Sequence, residues 1–184
     1  MQKADWSKFW KDEEDAFFQI MQLSTNDFAR RLDKLLRINE SNRILDYGCG
    51  PGFLIDSLVD KCGNLIGVDI NAFFLAQCKK KHEGLRFIKI SSVVSDNEDV
   101  FSAEFKDLKF DIIVILSIVQ YFESKDDLEI LLRMLRKYLT SDGKIVLADV
   151  IDAQTSSVRD GLALLRSCLL SGRILPLLKF MKYL

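Results

Sequence analysis

The stretch Ile44-Leu45-Asp46-Tyr47-Gly48-Cys49-Gly50-Pro51-Gly52-Phe53 constrains the fold of this chain more than any other. It opens as an apolar strand, closes on an acid, and passes through three glycines at alternate positions. Phe53-Leu54-Ile55 through Leu58-Val59 then continue at helical spacing. Strand, glycine turn and helix start, in that order, are how a parallel α/β sheet presents a nucleotide-like ligand. Lacking a Cβ, Gly48 and Gly50 can take backbone angles closed to other residues and let a ligand lie against the main chain. The helix that follows offers free N–H groups at its positive end. In the dinucleotide fingerprint G-x-G-x-x-G, the third glycine lets helix and strand pack closely. Here Phe53 stands at that position and the third glycine is Gly52. The resulting D-x-G-x-G-x-G suits a carboxylate-bearing amino acid joined to a nucleoside better than a pyrophosphate.

The alternation continues downstream. Strands are predicted at 43–46, 65–70, 85–90, Phe110–Leu116 and 143–149, and helices at 53–61, Ala72–Lys81, 97–105 and 125–139. The helix at 72–81 is expected to turn Phe73, Leu75 and Ala76 inward. The run at 110–116 is so uniformly apolar that both its faces should be covered. Strands alternating with helices imply right-handed crossovers and a doubly wound, mostly parallel α/β sheet with helices on both faces. Asp69 ends the second predicted strand, twenty-three positions after Asp46. An acid about 20 residues past a glycine loop meets ribose hydroxyls; the alternative is a helix N-cap or turn residue.

Length and charge bound the rest. The 184 residues suffice for one domain, 48% are hydrophobic, and the formal net charge of −1 leaves no global basic field for nucleic acid. Cys49, Cys62, Cys78 and Cys168 form no C-x-x-C pair and have no metal-ligand spacing, so they read as reduced thiols in a cytoplasmic protein. The start, Met1 to Trp6, places an acid where a signal peptide needs an apolar core. No apolar run approaches the roughly 18 residues of a membrane span.

The loop Asp46 to Gly52 resembles the first motif of class I S-adenosylmethionine-dependent methyltransferases, whose fold is Rossmann-like. The resemblance implies that Gly48 and Gly50 line the methionine end of the cofactor, and that Asp46 orients the loop and binds the cofactor's amino group. It implies Asp69 on the ribose and Ile70 against the adenine. Ser117 to Val119 would lie under the methionine moiety, with Gln120 and Tyr121 on the acceptor side; ordinary core packing is the alternative for Tyr121 and Phe122. Many members of the family place an acid after the third strand, on the adenine amino group. Ser92 stands there in this chain, so that contact falls to Ser92, to Asp96 or to a backbone carbonyl.

The expected activity is methyl transfer from S-adenosylmethionine, leaving S-adenosylhomocysteine, to a small-molecule or saccharide-type acceptor. A non-catalytic S-adenosylmethionine-binding module is the alternative. Positioning and desolvation can supply much of the acceleration, and no residue is singled out as a catalytic base. The one histidine, His82, ends a basic helix and reads as a C-terminal cap. Cys49 reads as a small filler of the loop rather than a reactive thiol. The only prolines, Pro51 and Pro176, exclude the D/N-P-P-Y/F and Pro-Cys motifs of DNA methyltransferases. Phe53 and the absence of a Tyr-x-x-x-Lys set disfavour an NAD-dependent oxidoreductase.

Three segments are expected. Residues 1–42 are helical, broken at Ser24-Thr25-Asn26-Asp27. Either they lie over the cofactor cleft, with Trp10 reaching the acceptor, or they pack on the sheet edge. Residues 43–152 form the cofactor-binding core. Residues 153–184 are leucine-rich with Arg159, Arg166, Arg173, Lys179 and Lys182 interspersed. The resemblance implies a linker before two last strands that this chain lacks; contact with a membrane surface, or between two copies in a homodimer, is the alternative.

Overall fold

The computed structural model describes residues 15–90 and 97–150. In chain order the elements are α1 (Asp15–Leu36), β1 (Arg43–Tyr47), α2 (Phe53–Leu58), β2 (Asn64–Asp69), α3 (Ala72–Lys81), β3 (Arg86–Lys89) and α4 (Glu98–Phe105). They continue with β4 (Phe110–Leu116), a 3-10 turn (Val119–Tyr121), α5 (Lys125–Arg136) and β5 (Leu139–Ala148). The five strands form one parallel sheet in the order β3-β2-β1-β4-β5. The strand order reverses between β1 and β4, which creates the crevice that such sheets use for ligands.

Side-chain alternation along the strands divides the core in two. Leu45, Tyr47, Ile66, Val68, Ile113 and Ile115 pack with Phe101 and Phe105 of α4 and Leu131, Met134 and Leu135 of α5. Ile44, Leu65, Phe87, Ile112 and Val114 pack on the other face with Ala29 and Leu32 of α1, Leu54, Ile55 and Leu58 of α2, and Leu75 and Cys78 of α3. Right-handed crossovers produce this sorting, because reversing the winding direction at β1 sends the later helices to the opposite face. The expected doubly wound α/β architecture is therefore the observed one.

Several boundaries differ from the sequence expectation. α1 runs unbroken through Ser24–Asp27 because that polar patch faces α2. The Asn26 side-chain oxygen accepts from Gln22 Nε2 at 3.0 Å and from Ser57 Oγ at 2.7 Å. In α3 the buried residues are Phe74, Leu75 and Cys78, while Phe73 is 57% exposed and Ala76 is also exposed. α5 stops at Arg136 rather than 139, because Leu139 pairs with Phe110 and begins β5. A bulge follows, since Ile112 lies opposite Lys144. A Cβ at Gly143 would come within 2.8 Å of the Phe110 carbonyl oxygen.

Hydrogen bonds close the amino edge of the sheet. Arg43 N donates to Asp111 Oδ2 at 2.8 Å, and Thr140 Oγ1 donates to Asp111 Oδ1 at 3.1 Å. Arg43 Nη1 adds a bond to the Lys109 carbonyl at 3.1 Å. One carboxylate thus ties β4 to the strands on both its sides.

Candidate functional site

In a parallel sheet every strand points its carboxyl end to the same edge. Acids that close strands must therefore collect there, as Asp46, Asp69 and Asp149 do, at or just past the ends of β1, β2 and β5. The glycine loop turns over this edge. Gly48 N and Cys49 N both donate to the Val68 carbonyl of β2, at 2.8 and 3.0 Å. Gly48, Gly50 and Gly52 have φ of +79°, +49° and +84°, the region that glycine alone enters freely.

The three glycines differ in what surrounds them. A Cβ on Gly48 would lie 2.3 Å from Ile118 Cδ1, and one on Gly52 would lie 2.8 Å from Cys78 Sγ. A Cβ on Gly50 would meet no atom of the described residues within 4 Å. The chain's own side chains fill the space beside Gly48 and Gly52, and the space beside Gly50 is open.

Both oxygens of Asp69 are engaged. Oδ2 accepts from Gly50 N at 2.8 Å, and Oδ1 accepts from Asn71 N at 2.7 Å. The cap of α3 is Asn71, whose Oδ1 accepts from Phe73 N and Phe74 N. Asp69 thus fastens the loop to β2. An ionised carboxylate offers about four acceptor sites, so capacity remains for further donors. Burial pushes its pKa up, while the bonds from Asn71 and Gly50 pull it down.

Asp46 is only 3% exposed, and among the described residues its Oδ2 has no hydrogen-bond partner. Burial, with a smaller contribution from the Asp69 charge, pushes its pKa up to about 7. A buried carboxylate with an unpartnered oxygen is costly unless a donor or a cation meets it. Together with the open flank of Gly50, it fits a ligand that carries an ammonium group.

On the far side of the switch point, Ser117 links three elements. Its N donates to the Ala148 carbonyl at 3.1 Å, its Oγ donates to Asp149 Oδ2, and its carbonyl accepts from Gln120 Nε2. Ser117 and Asp149 have φ of +55° and +54°, unusual for residues with a Cβ. Ile118 follows, buried and directed onto Gly48. Ile70, Tyr121 and Phe122 are partly buried against the core formed with α4 and α5, and Gln120 is exposed.

The sequence-derived candidates Asp46, Gly48, Gly50, Asp69, Ile70, Ser117, Gln120 and Tyr121 therefore share one edge. Ser92, Asp96 and Trp10 lie outside the described residues. Sequence reasoning passed over Asp149. Its signal was available, because it closes a strand with an acid as Asp69 does. His82 caps α3, donating its N to the Cys78 carbonyl, and its Nε2 pairs with Asp56 Oδ1 at 2.7 Å, tying α3 to α2. The Cys49 thiol is held by Cys78 under the loop, and that bond, then burial, pushes its pKa up, as befits a filler. A groove of about 690 Å³ between α1 and α2 contains no glycine-loop residue and is spanned by the Lys61–Asp33 ion pair.

Comparison with known proteins decides the family. The model of a family described as "Methyltransferase domain" matches residues 38–181. The chain belongs to this methyltransferase family. A probable non-canonical nonribosomal peptide synthetase, CymA of Salinispora arenicola, is 27% identical over 129 residues; the match covers 70% of this chain and 2% of CymA. Among solved structures, the S-adenosylmethionine-bound amino pentose methyltransferase CalS10 of Micromonospora echinaspora superposes with a TM-score of 0.62 at 16% identity. It covers 77% of this methyltransferase-family chain and 58% of CalS10. The plantazolicin methyltransferase BpumL, in complex with a desmethylPZN analogue and S-adenosylhomocysteine, has a TM-score of 0.53 at 21% identity, covering 78% and 51%. The chain thus spans about half the length of these relatives of known structure and a small part of CymA. The shared architecture is the class I Rossmann-like methyltransferase fold. No helix among the described residues is long and apolar enough to cross a membrane.

Proposed function

We propose that this chain is an S-adenosylmethionine-dependent methyltransferase acting on a small-molecule or saccharide-type acceptor. The observation that carries the reading is Asp46, buried with Oδ2 unpartnered, beside a glycine loop whose flank at Gly50 is open. When bound, S-adenosylmethionine supplies a methyl group on a positively charged sulfur. Asp46 would take its ammonium, Gly48 and Gly50 would lie along its methionine portion, Asp69 would accept from the ribose hydroxyls, and Ile70 would cover the adenine. Ser92 would meet the adenine amino group, and Ser117 would border the methionine. Gln120, Tyr121 and Trp10 would shape the acceptor side. Residues 1–42 then serve as the cover, 43–152 as the cofactor-binding core, and 153–184 as an appended segment.

Family membership and the neighbours' acceptors, an amino pentose and a plantazolicin analogue, support the small-molecule or saccharide class. A net charge of −1 accords with an acceptor other than nucleic acid, and free buried cysteines accord with the cytoplasm. Calorimetry with S-adenosylhomocysteine tests the reading: saturable binding is expected, and it should weaken about 10- to 100-fold in Asp46→Asn. Absence of binding to the wild type at millimolar ligand would end it. Binding without turnover across amines, sugars and amino sugars would instead favour a non-catalytic module.

A further inference from the structure

Three acids close strands at the carboxyl edge, and the proposed cofactor site uses two. Asp69 stands at β2, Asp46 at β1, and Asp149 lies two strands further along, past β4, at the end of β5. That order sets a direction. With the ribose on Asp69 and the ammonium on the unpartnered oxygen of Asp46, the cofactor occupies the β2–β1 half of the edge. The β4–β5 half is left for the molecule that receives the methyl group.

Asp149 is held in that half with care. Its carboxylate accepts from Ser117 Oγ, and Ser117 N is anchored on the carbonyl of Ala148, the neighbour of Asp149 in the chain. Gln120 closes the chain of bonds on the Ser117 carbonyl. Both Ser117 and Asp149 sit in the left-handed region, which residues with a Cβ adopt uncommonly, serine more rarely than aspartate. Strain of this kind persists where surrounding contacts over-determine it, typically at ligand sites. Asp149 is nevertheless exposed, so one Ser117 hydroxyl does not exhaust its acceptor capacity. At the carboxyl ends of β1, β2 and β5 stand the carboxylates Asp46, Asp69 and Asp149; β4 ends on Leu116 and Ser117, and the one lysine closing a described strand there, Lys89, lies on β3 at the opposite end of the edge from β5.

We propose that Asp149, positioned by Ser117, is the carboxylate that meets a cationic nitrogen on the acceptor side of the methyl group, so that the acceptor is an amine that arrives as an ammonium. Asp149 would take one N–H proton; the freed nitrogen lone pair would then form the N–C bond to the methyl carbon as the C–S bond breaks and its electron pair stays on the sulfur. The proposal rests on the reading of the glycine loop as an S-adenosylmethionine site. Two ligands separate the two ideas. S-adenosylhomocysteine reports the loop alone. Its analogue sinefungin, in which a carbon bearing an ammonium replaces the sulfur, places a positive charge where the methyl transfer occurs.

Calorimetry with both ligands on wild type, Asp149→Asn and Ser117→Ala is the test. Asparagine tolerates the left-handed region well, so Asp149→Asn removes the charge and spares the backbone. Asp149→Asn should weaken the ammonium analogue about tenfold and leave S-adenosylhomocysteine within about twofold, as expected for a lost charge-assisted hydrogen bond. Ser117→Ala should weaken the analogue about threefold. Equal weakening of both ligands would mean that Asp149 only shapes the edge, and no change in either would mean that it faces elsewhere; each result overturns the proposal. Failure of the wild type to bind S-adenosylhomocysteine would overturn the loop reading, and this proposal with it.

Discussion

The two edges of the sheet carry the same residue type in opposite states. At the amino edge, Asp111 has both carboxylate oxygens bonded within the protein, to Arg43 N and Thr140 Oγ1, and joins three strands. At the carboxyl edge, Asp46 is more deeply buried, yet one of its oxygens has no partner and its pKa rises to about 7. Of the seven residues with positive φ among those described, five, Gly48, Gly50, Gly52, Ser117 and Asp149, stand at the carboxyl edge, and two, Arg37 and Gly84, lead into β1 and β3 at the other. The contrast teaches that satisfaction of polar groups, rather than burial or residue type, separates the part of this sheet that holds the fold from the part proposed to bind a ligand.

The strongest way to break this contrast is at Gly48. Gly48→Ala drives a Cβ into Ile118 and demands a positive φ, which should cost about 3 kcal/mol of stability and abolish S-adenosylhomocysteine binding. Gly50→Ala meets no atom of the described residues, so denaturation should report a loss of only about 1 kcal/mol while calorimetry still reports weakened binding. Equal stability losses in the two variants would remove the distinction between a filled and an open flank.

Next comes Asp46→Asn. Loss of the charge should weaken S-adenosylhomocysteine about 10- to 100-fold. The same change relieves an unpaired buried carboxylate, so the ligand-free protein should gain about 2 kcal/mol at pH 8, read from chemical denaturation. A variant that loses both binding and stability would contradict the assignment of Asp46 to a ligand.

Dependence on pH provides a subtler probe. The folded pKa of Asp46, about 7, exceeds its ordinary 3.8. The stabilising contribution of its proton is therefore complete below about pH 4 and is lost as pH rises through 7. Ligand-free wild type should lose stability relative to Asp46→Asn between pH 4 and 8. Binding runs the other way, because only the ionised form answers an ammonium. The Kd for S-adenosylhomocysteine should rise about tenfold from pH 8 to 6 in wild type and stay flat in Asp46→Asn.

The smallest effect on binding belongs to the amino edge. Asp111→Ala should cost about 2 kcal/mol of stability through the bonds it abandons, with the Kd for S-adenosylhomocysteine unchanged. Weakened binding there would show that the two edges are not independent.

Much of this architecture is legible in the residues. Phe110–Leu116 is bounded as expected because an apolar run buried on both faces has few other homes. Ser124 and Asp127 form a reciprocal capping box, which marks the start of α5. Its end is hidden, because Leu139 continues the helical spacing of Leu131 and Leu135 and yet pairs with Phe110. The polar run at Ser24–Asp27 reads as a break only while Ser57, its partner through Asn26, is unknown. At the site, the glycine spacing and Asp69 are local signals. The orphaned state of Asp46 and the Ser117–Asp149 bond join residues far apart in sequence, and no local pattern encodes them.

α1 lies beside α2 and runs parallel to it, with Phe18 near Phe53 and Phe74 at one end and Asp33 paired with Lys61 at the other. It contributes no strand and interrupts no step of the alternation, yet the chain enters it beside the glycine turn. If the residues before α1 shape the acceptor side as proposed, a lineage built this way keeps its methyl donor and exchanges its acceptors by rewriting its front end.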